Sequence, residues 1–313
     1  MIYVENSLNN SHDAAFALAE EEFLLENYTV GEYLMLWISP PTVVYGKFQN
    51  PFEEFSLRLT KEAGIAAVRR NSGGGCVYHD SGNLNFTIIT DKSNSFPDYE
   101  RFLSPIAEAL RSLGVPACLG NSFDITVDGK KVSGNAEAVS KNRMMHHGTL
   151  LFDSDLSVLS SVTGNARTGV ISKSIKSNPA PVANIRPYLK DDMDIYEFAA
   201  AIRLALCREK IRPVIFDNAE LSEISRIAEK YRSFEWNFAR SPAFCVEHED
   251  TIGEKRVKFV LNSKNGLITS LTSDYDEIND ILASAIGIRL TTEELKNAFP
   301  DAISAVIEKM VFA

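Results

Sequence analysis

The segment RRNSGGGCVYHDSGNLNFT, residues 69 to 87, constrains this chain more than any other stretch of it. Gly73, Gly74 and Gly75 interrupt two runs that read as strands. Without a Cβ the backbone there can reach positive φ and bring its N–H groups close to a ligand. Arg69 and Arg70 stand immediately upstream, and a guanidinium fork suits a carboxylate or a phosphate. This is the composition of a nucleotide site, although a tight strand connection with no ligand also explains a glycine run. A P-loop is excluded because no Gly-Lys-Ser/Thr follows, and the dinucleotide fingerprint is excluded because its G-x-G-x-x-G spacing is absent.

Residues 124 to 137, DITVDGKKVSGNAE, read as a hairpin turned at Asp128-Gly129. On the returning strand Lys130 and Lys131 face opposite ways, so one is solvated and the other points inward. The inward lysine needs an anionic partner, either Asp124 or a bound ligand; two surface lysines flanking a turn are the plainer reading. In MMHHGTLLFD, residues 144 to 153, His146 and His147 are adjacent on a predicted strand and diverge, which argues against a shared metal. No helix-spaced His pair and no Cys pair supports a zinc site. Asn83 and Asn85 alternate onto one strand face, where amides suit the edge of a nucleotide base.

Together these segments resemble the lipoate-protein ligase family of the biotin/lipoate ligase superfamily. The family block R-R-x-S-G-G-G-x-V-x-H-D-x-G-N reads from Arg69 to Asn83, a second from Asp124 to Ala136, and H-H-G-T-L-L from His146 to Leu151. Further likeness lies in TVVYGKFQN (residues 42 to 50), SKSIKSNPAPVANIRP (172 to 187) and YRSFEWNFARSPAF (231 to 244). The resemblance implies a two-step reaction. Lipoate and Mg-ATP give lipoyl-AMP and pyrophosphate, and the acyl group then moves to a lysine ε-amine of an acceptor. The acceptors implied are lipoyl domains of 2-oxoacid dehydrogenase complexes or the glycine cleavage H protein.

Carried over by position, Lys131 is the catalytic cation. Arg70, Ser72, Gly73, Gly74, Gly75, His79, Ala136 and His147 form the lipoate and adenylate set. Val77, Asn83, Asp124, Lys131 and Thr149 form the nucleotide set, with Asp124 also the expected Mg²⁺ ligand. ATP with Mg²⁺ and lipoate enter as substrates, and no tightly bound prosthetic group is expected. The chain departs from the family in two places. The family sets Asn directly before Asp, whereas Asn121 and Asp124 are separated by Ser122 and Phe123; and Asn178-Pro179-Ala180 follow Ser177 where the family often has Arg.

With 313 residues, 45% hydrophobic and 24% charged, the chain has the makings of one large core and a smaller one. The expected fold is α+β, mixed α/β: a biotin/lipoate ligase-like catalytic domain over residues 1–244 and a smaller α+β accessory domain over residues 245–313. Helices are expected from near Ser11, from Tyr99 to Leu113, Ile195 to Glu209 and Glu220 to Tyr231, with strands at Tyr33–Trp37 and Thr42–Gly46. Residues 255 to 273 read as a hairpin turned at Asn265-Gly266. The start lacks a signal-peptide pattern, no apolar run is long enough to span a bilayer, and the cysteines form no C-x-x-C. The expected setting is therefore cytoplasmic, with Cys76, Cys118, Cys207 and Cys245 as free thiols and Cys76 a packing residue.

A net charge of −10 argues against general nucleic-acid binding. Arg69, Arg70, Lys130, Lys131, Lys173, Lys176 and Arg186 are candidates for a positive mouth that takes ATP, several of them being merely solvated on the plainer reading. Two rivals share the resemblance: a lipoyl or octanoyl amidotransferase of the same fold that needs no ATP, and a silent relative that binds lipoate or acceptor without turnover.

Overall fold

The computed structural model describes residues 1–5, 13–92, 97–121, 123–164, 169–207 and 211–312. The chain forms two compact units. The first comprises Met1–Lys47, Val68–Val158 and Asn178–Arg232, and the second Phe48–Ala67, Leu159–Ser177 and Ser233–Ala313. The unit that holds residues 245–313 therefore begins at Ser233 and also takes in two earlier stretches of chain.

The first unit is built on a five-stranded sheet, in the order Ile2–Val4, Tyr33–Trp37, Asn83–Asp91, Arg143–Leu151, Asn135–Ser140. The outermost pair, Ile2–Val4 with Tyr33–Trp37, is parallel, and the remaining pairs are antiparallel. Every residue of Tyr33–Trp37 and all but the last of Asn83–Asp91 is buried, as befits central strands covered on both faces. One face packs on the helices Tyr99–Ser112 and Ile195–Leu206 through Leu34, Leu36, Phe86, Ile106, Leu110, Phe198 and Ile202.

The helix Ala14–Asn27 starts where the Asp13 carboxylate accepts the Phe16 N–H at 2.9 Å. The start expected near Ser11 lies outside the described residues. This helix is buried on nearly every side, Glu20 and Glu21 included. Ion pairs tie it to the helix Asn218–Arg232, with Lys230 on Glu22 and Arg232 on Asp13. The expected helix from Ile195 ends at Leu206, and residues 208–210 lie outside the described ones.

Two further small sheets belong to this unit. Thr42–Tyr45 pairs antiparallel with Val77–His79, and Ile125–Val127 sits between Cys118–Leu119 and Lys130–Ser133. The turn at Asp128-Gly129 has φ of 51° and 74°, the left-handed pair that the hairpin reading requires.

In the second unit a four-stranded antiparallel sheet runs Val170–Ser172, Phe244–Ile252, Lys255–Lys264, Leu267–Ser273. Asn265 and Gly266, at φ of 55° and 70°, turn its last hairpin as expected. Its core joins Phe52 and Val170 to Phe244, Phe259, Leu261, Leu295, Ile303 and Ile307, so residues from before position 171 complete the packing of the C-terminal strands and helices. The whole is a mixed α+β protein.

Candidate active site

The glycine segment leaves the sheet beside Tyr45, whose carbonyl accepts the Arg70 N–H at 2.9 Å. The Arg70 side chain then folds back under the loop. Its Nε donates to Ser72 Oγ (3.0 Å) and the Gly73 carbonyl (3.1 Å), Nη1 to the Val44 carbonyl (3.2 Å) and Nη2 to the Gly73 carbonyl. Gly74 has φ of 84°, and a Cβ there would stand 2.8 Å from Arg70 Nη2. A Cβ on Gly46 would run into the Gly74 carbonyl. The triple glycine thus serves close packing against Gly46 and Arg70, whatever ligand it also meets. Burial lowers the Arg70 pKa to about 10, which leaves the guanidinium charged at neutral pH.

Arg69 does not join a positive mouth. It is fully buried, lies over the Tyr45 ring at 4.8 Å and donates to the carbonyls of Gly46 (3.4 Å) and Lys47 (3.0 Å). Two more of the expected cations are matched by acids: Lys176 with Glu53 at 2.9 Å, and Arg186 with Asp153 at 2.8 Å and Asp192 at 3.3 Å. The strand Ala66–Arg69 ends at Arg69, so that side chain stays in the core as a strut while Arg70, the first residue past the strand, anchors the loop.

His146 and His147 diverge. His147 Nε2 lies 2.6 Å from Ser72 Oγ, and its Nδ1 lies 2.8 Å from Glu21 Oε2. Glu21 Oε1 accepts from Trp37 Nε1 at 3.2 Å and from the Thr87 hydroxyl. His146 turns the other way, stacked on Phe102 and Phe86 at 4.9 and 5.9 Å, with Glu137 at 3.2 Å and Asn135 at 3.3 Å. His79 is buried edge-on to Trp37, and its Nδ1 has no hydrogen-bond partner. Burial first, then Arg70 and His147, push its pKa down to about 3, so it is a neutral imidazole.

Beyond the hairpin turn Lys130 is exposed, while Lys131 turns inward to set Nζ 4.0 Å from Asp124 Oδ2. Asp124 is buried, and its Oδ1 has no partner. The Lys131 backbone is held by the strap that follows residue 177: its N–H donates to the Pro181 carbonyl (2.8 Å) and its carbonyl accepts from Ala183 (3.0 Å). Thr149 Oγ1 accepts the Gly134 N–H at 3.1 Å, and a Cβ on Gly134 would touch Lys131 Cε at 3.3 Å. Ala136 pairs with His147 across the ladder, and its Cβ would lie 3.7 Å from a Cβ on Gly74. The glycine loop and the Lys131 strand therefore flank one spot.

Val77 is half-buried opposite Val44 in the small sheet. Asn83 and Asn85 share a face but are spent internally: Asn83 Nδ2 donates to Asn85 Oδ1 (2.9 Å) and Asn85 Nδ2 to the Trp37 carbonyl (3.3 Å), leaving Asn83 Oδ1 buried and unpaired. Asn121 is exposed; Phe123, at φ of 57°, stacks on Tyr99 at 4.3 Å. Cys76 is half-buried beside the loop. Among the described residues no group of three or more His, Cys, Asp or Glu could cage a metal. A Mg²⁺ that keeps phosphate and water in its shell needs only one or two carboxylates, and the orphaned Asp124 oxygen fits that demand.

Sequence reading missed Glu21 and Trp37. The signal available was AEEEF inside an otherwise largely apolar helix, since an acid on a buried helix face must have partners.

A family model described as lipoyl protein ligase A/B catalytic domain matches residues 13–207. Lipoate–protein ligase 1 of Staphylococcus aureus is 37% identical over 287 residues, spanning 90% of this chain and 87% of that protein. Lipoate-protein ligase LplJ of Bacillus subtilis is 35% identical over 292 residues, with the same coverage of 90% and 87%. Among solved structures, P. falciparum LipL1 in complex with lipoate superposes with a TM-score of 0.66 at 21% identity, covering 100% of this chain and 99% of that one, a likeness of fold. A lipoate-protein ligase A bound with ATP gives 0.60 at 27% identity, covering 72% and 94%. The bi-partite lipoate protein ligase from Thermoplasma acidophilum, from work that includes its E2 lipoyl domain, gives 0.61 at 26%, covering 75% and 94%.

Proposed function

The chain belongs to the lipoyl protein ligase A/B family, and on that premise we propose that this site joins lipoate to ATP and then hands the lipoyl group to a lysine of an acceptor lipoyl domain. In the first step a lipoate carboxylate oxygen attacks the α-phosphorus while the bond to pyrophosphate breaks. In the second, the acceptor amine attacks the acyl carbon, AMP departs, and the amine gives up a proton.

The observation that carries this reading is Lys131, an inward cation beside a buried carboxylate. Carboxylate and α-phosphate both bring negative charge to the reacting centre, and a fixed ammonium stabilises the charge that gathers there as they meet. Two backbone hydrogen bonds to the 181–183 strap and the close fit on Gly134 hold Lys131 in place, so little reorganisation accompanies reaction. Arg70, Ser72 and the glycine backbone orient the acyl group with His147 and Ala136, and His79 lines the same side as a neutral ring. Val77, Asn83, Asp124 and Thr149 serve the nucleotide, Asn83 by exchanging its internal partner. Asp124, with its unpartnered Oδ1, would hold the Mg²⁺ that arrives with ATP, and the ion would supply charge neutralisation to the phosphates.

Acceptors of this class are the lipoyl domains of 2-oxoacid dehydrogenases and the glycine cleavage H protein, and the setting is cytoplasmic. No helix among the described residues is long and apolar enough to cross a membrane. Pyrophosphate release from lipoate plus ATP, measured for the wild-type protein and Lys131→Ala, tests the reading. Turnover in the first and its loss in a folded second is the expected result; equal rates would overturn the role of Lys131.

A further inference from the structure

We propose that Glu21 is a positioning residue: through His147 it sets the direction of every proton in the chain of hydrogen bonds that seats Arg70 and the glycine loop. The inference rests on the adenylation reading of the site. The chain runs Glu21 Oε2 to His147 Nδ1 (2.8 Å), His147 Nε2 to Ser72 Oγ (2.6 Å), and Ser72 Oγ to Arg70 Nε (3.0 Å). All four side chains are buried.

The two ends fix the order. A carboxylate can only accept and a guanidinium can only donate. Ser72 Oγ accepts from Arg70 Nε–H and finds His147 Nε2 at 2.6 Å as the partner for its own proton, which makes Nε2 an acceptor and places the ring proton on Nδ1, facing Glu21. Arg70, so held, keeps its remaining donors on the Gly73 and Val44 carbonyls, and the loop takes its shape from them. Burial disfavours the Arg70 charge, and the Glu21 carboxylate is among the groups whose charge offsets that cost.

The other oxygen of Glu21 makes the inference sharp. Oε1 receives two donors, Trp37 Nε1–H and the Thr87 hydroxyl, whereas Oε2 receives one. In Glu21→Gln the side chain has a single acceptor oxygen, and the two-donor side claims it. The amide NH₂ is then presented to His147 Nδ1, which must accept, so the ring proton moves to Nε2. Ser72 becomes an acceptor on both sides and its hydroxyl proton loses its place in the chain. An amide is nearly the size of the carboxylate, so the substitution changes proton order more than shape.

The test is nitrogen-15 NMR of the His147 ring, assigned with His147→Gln, together with adenylation kinetics at varied lipoate and varied ATP. The expected wild-type spectrum is the Nδ1–H tautomer. In Glu21→Gln the expected spectrum is Nε2–H, with kcat/KM for lipoate down at least about tenfold and the KM for ATP within about twofold. A merely structural glutamate would lower thermal stability and leave the tautomer and the lipoate-selective loss absent. A wild-type ring protonated on Nε2 overturns the proposal without any variant, and so does a Gln variant with unchanged tautomer or unchanged kcat/KM. A wild-type protein that makes no AMP from lipoate and ATP would instead overturn the adenylation reading, and the tautomer result would still stand or fall by itself.

Discussion

Lys131 and Lys130 are neighbours in sequence with opposite surroundings, and they make a matched pair of tests. Lys131→Ala removes the cation that faces the reacting charge, so adenylation should fall by at least about 100-fold while the thermal midpoint stays within a few degrees. Lys130→Ala, on the exposed face, should leave the rate within about twofold. His79 gives a pH test. Its pKa falls from 6.5 to about 3 on folding, so between those values the unfolded chain binds more protons than the folded one. Stability from the neutral ring is therefore complete above pH 6.5 and is lost as the pH drops toward 3, at up to about 1.4 kcal/mol per pH unit. His146, also lowered by burial, adds in the same direction. Denaturant melts of wild type and His79→Gln at pH 7.5 and 5 should converge at the lower pH; a constant gap would show that His79 does not stay neutral. At this scale the motif residues were legible because glycine runs, paired cations and hairpin turns are local. Glu21 was not, since its three partners come from strands at 37, 87 and 147, which only the folded sheet brings to one helix face. Arg69 was misread for a like reason, because a guanidinium that ends among carbonyls and a tyrosine ring leaves no mark in sequence.

Among the elements, the loop from Arg70 to Gly75 and the strand end at Gly46 are packed too closely for a side chain. Gly46→Ala should push the Gly74 carbonyl away, loosen Arg70 and cut adenylation by at least about tenfold while the strands stay paired. Measuring lipoate binding by calorimetry checks it, and wild-type affinity in Gly46→Ala would contradict the packing account. Cys76→Ser, in the same loop, should keep most of the activity, because an adenylate route needs no thioester; mass spectrometry of an acyl-charged Cys76 would show the opposite. Helices and hairpins were read well because their cues are periodic or turn-bound, the Asp128-Gly129 and Asn265-Gly266 turns especially. Sheet order was not readable: strands 83–91 and 143–151 become neighbours only through long-range pairing. The neighbouring asparagines show the limit, since a shared face was visible and their mutual hydrogen bond was not.

For the whole molecule, the division into two units bears on how the accessory region can be studied. Cutting after residue 244 would leave Phe52, Val170 and Phe244 without the partners that cover them, Ile303 and Ile307 among these. A chain ending at 244 should therefore aggregate or lose its cooperative melt, and a soluble, fully cooperative fragment would show that those residues find other cover. An intact chain with a surface substitution in the 255–264 hairpin is the better tool for assigning the region to activation or to acceptor docking. The central claim concerns the chemical route, and a single incubation reads it: the protein with lipoate and α-labelled ATP, with no acceptor present. A lipoyl adenylate retained by the protein, one pyrophosphate released for each, and no acyl group on any cysteine is the predicted result. No nucleotide turnover, together with acyl transfer from a carrier-protein thioester in the absence of ATP, would contradict it.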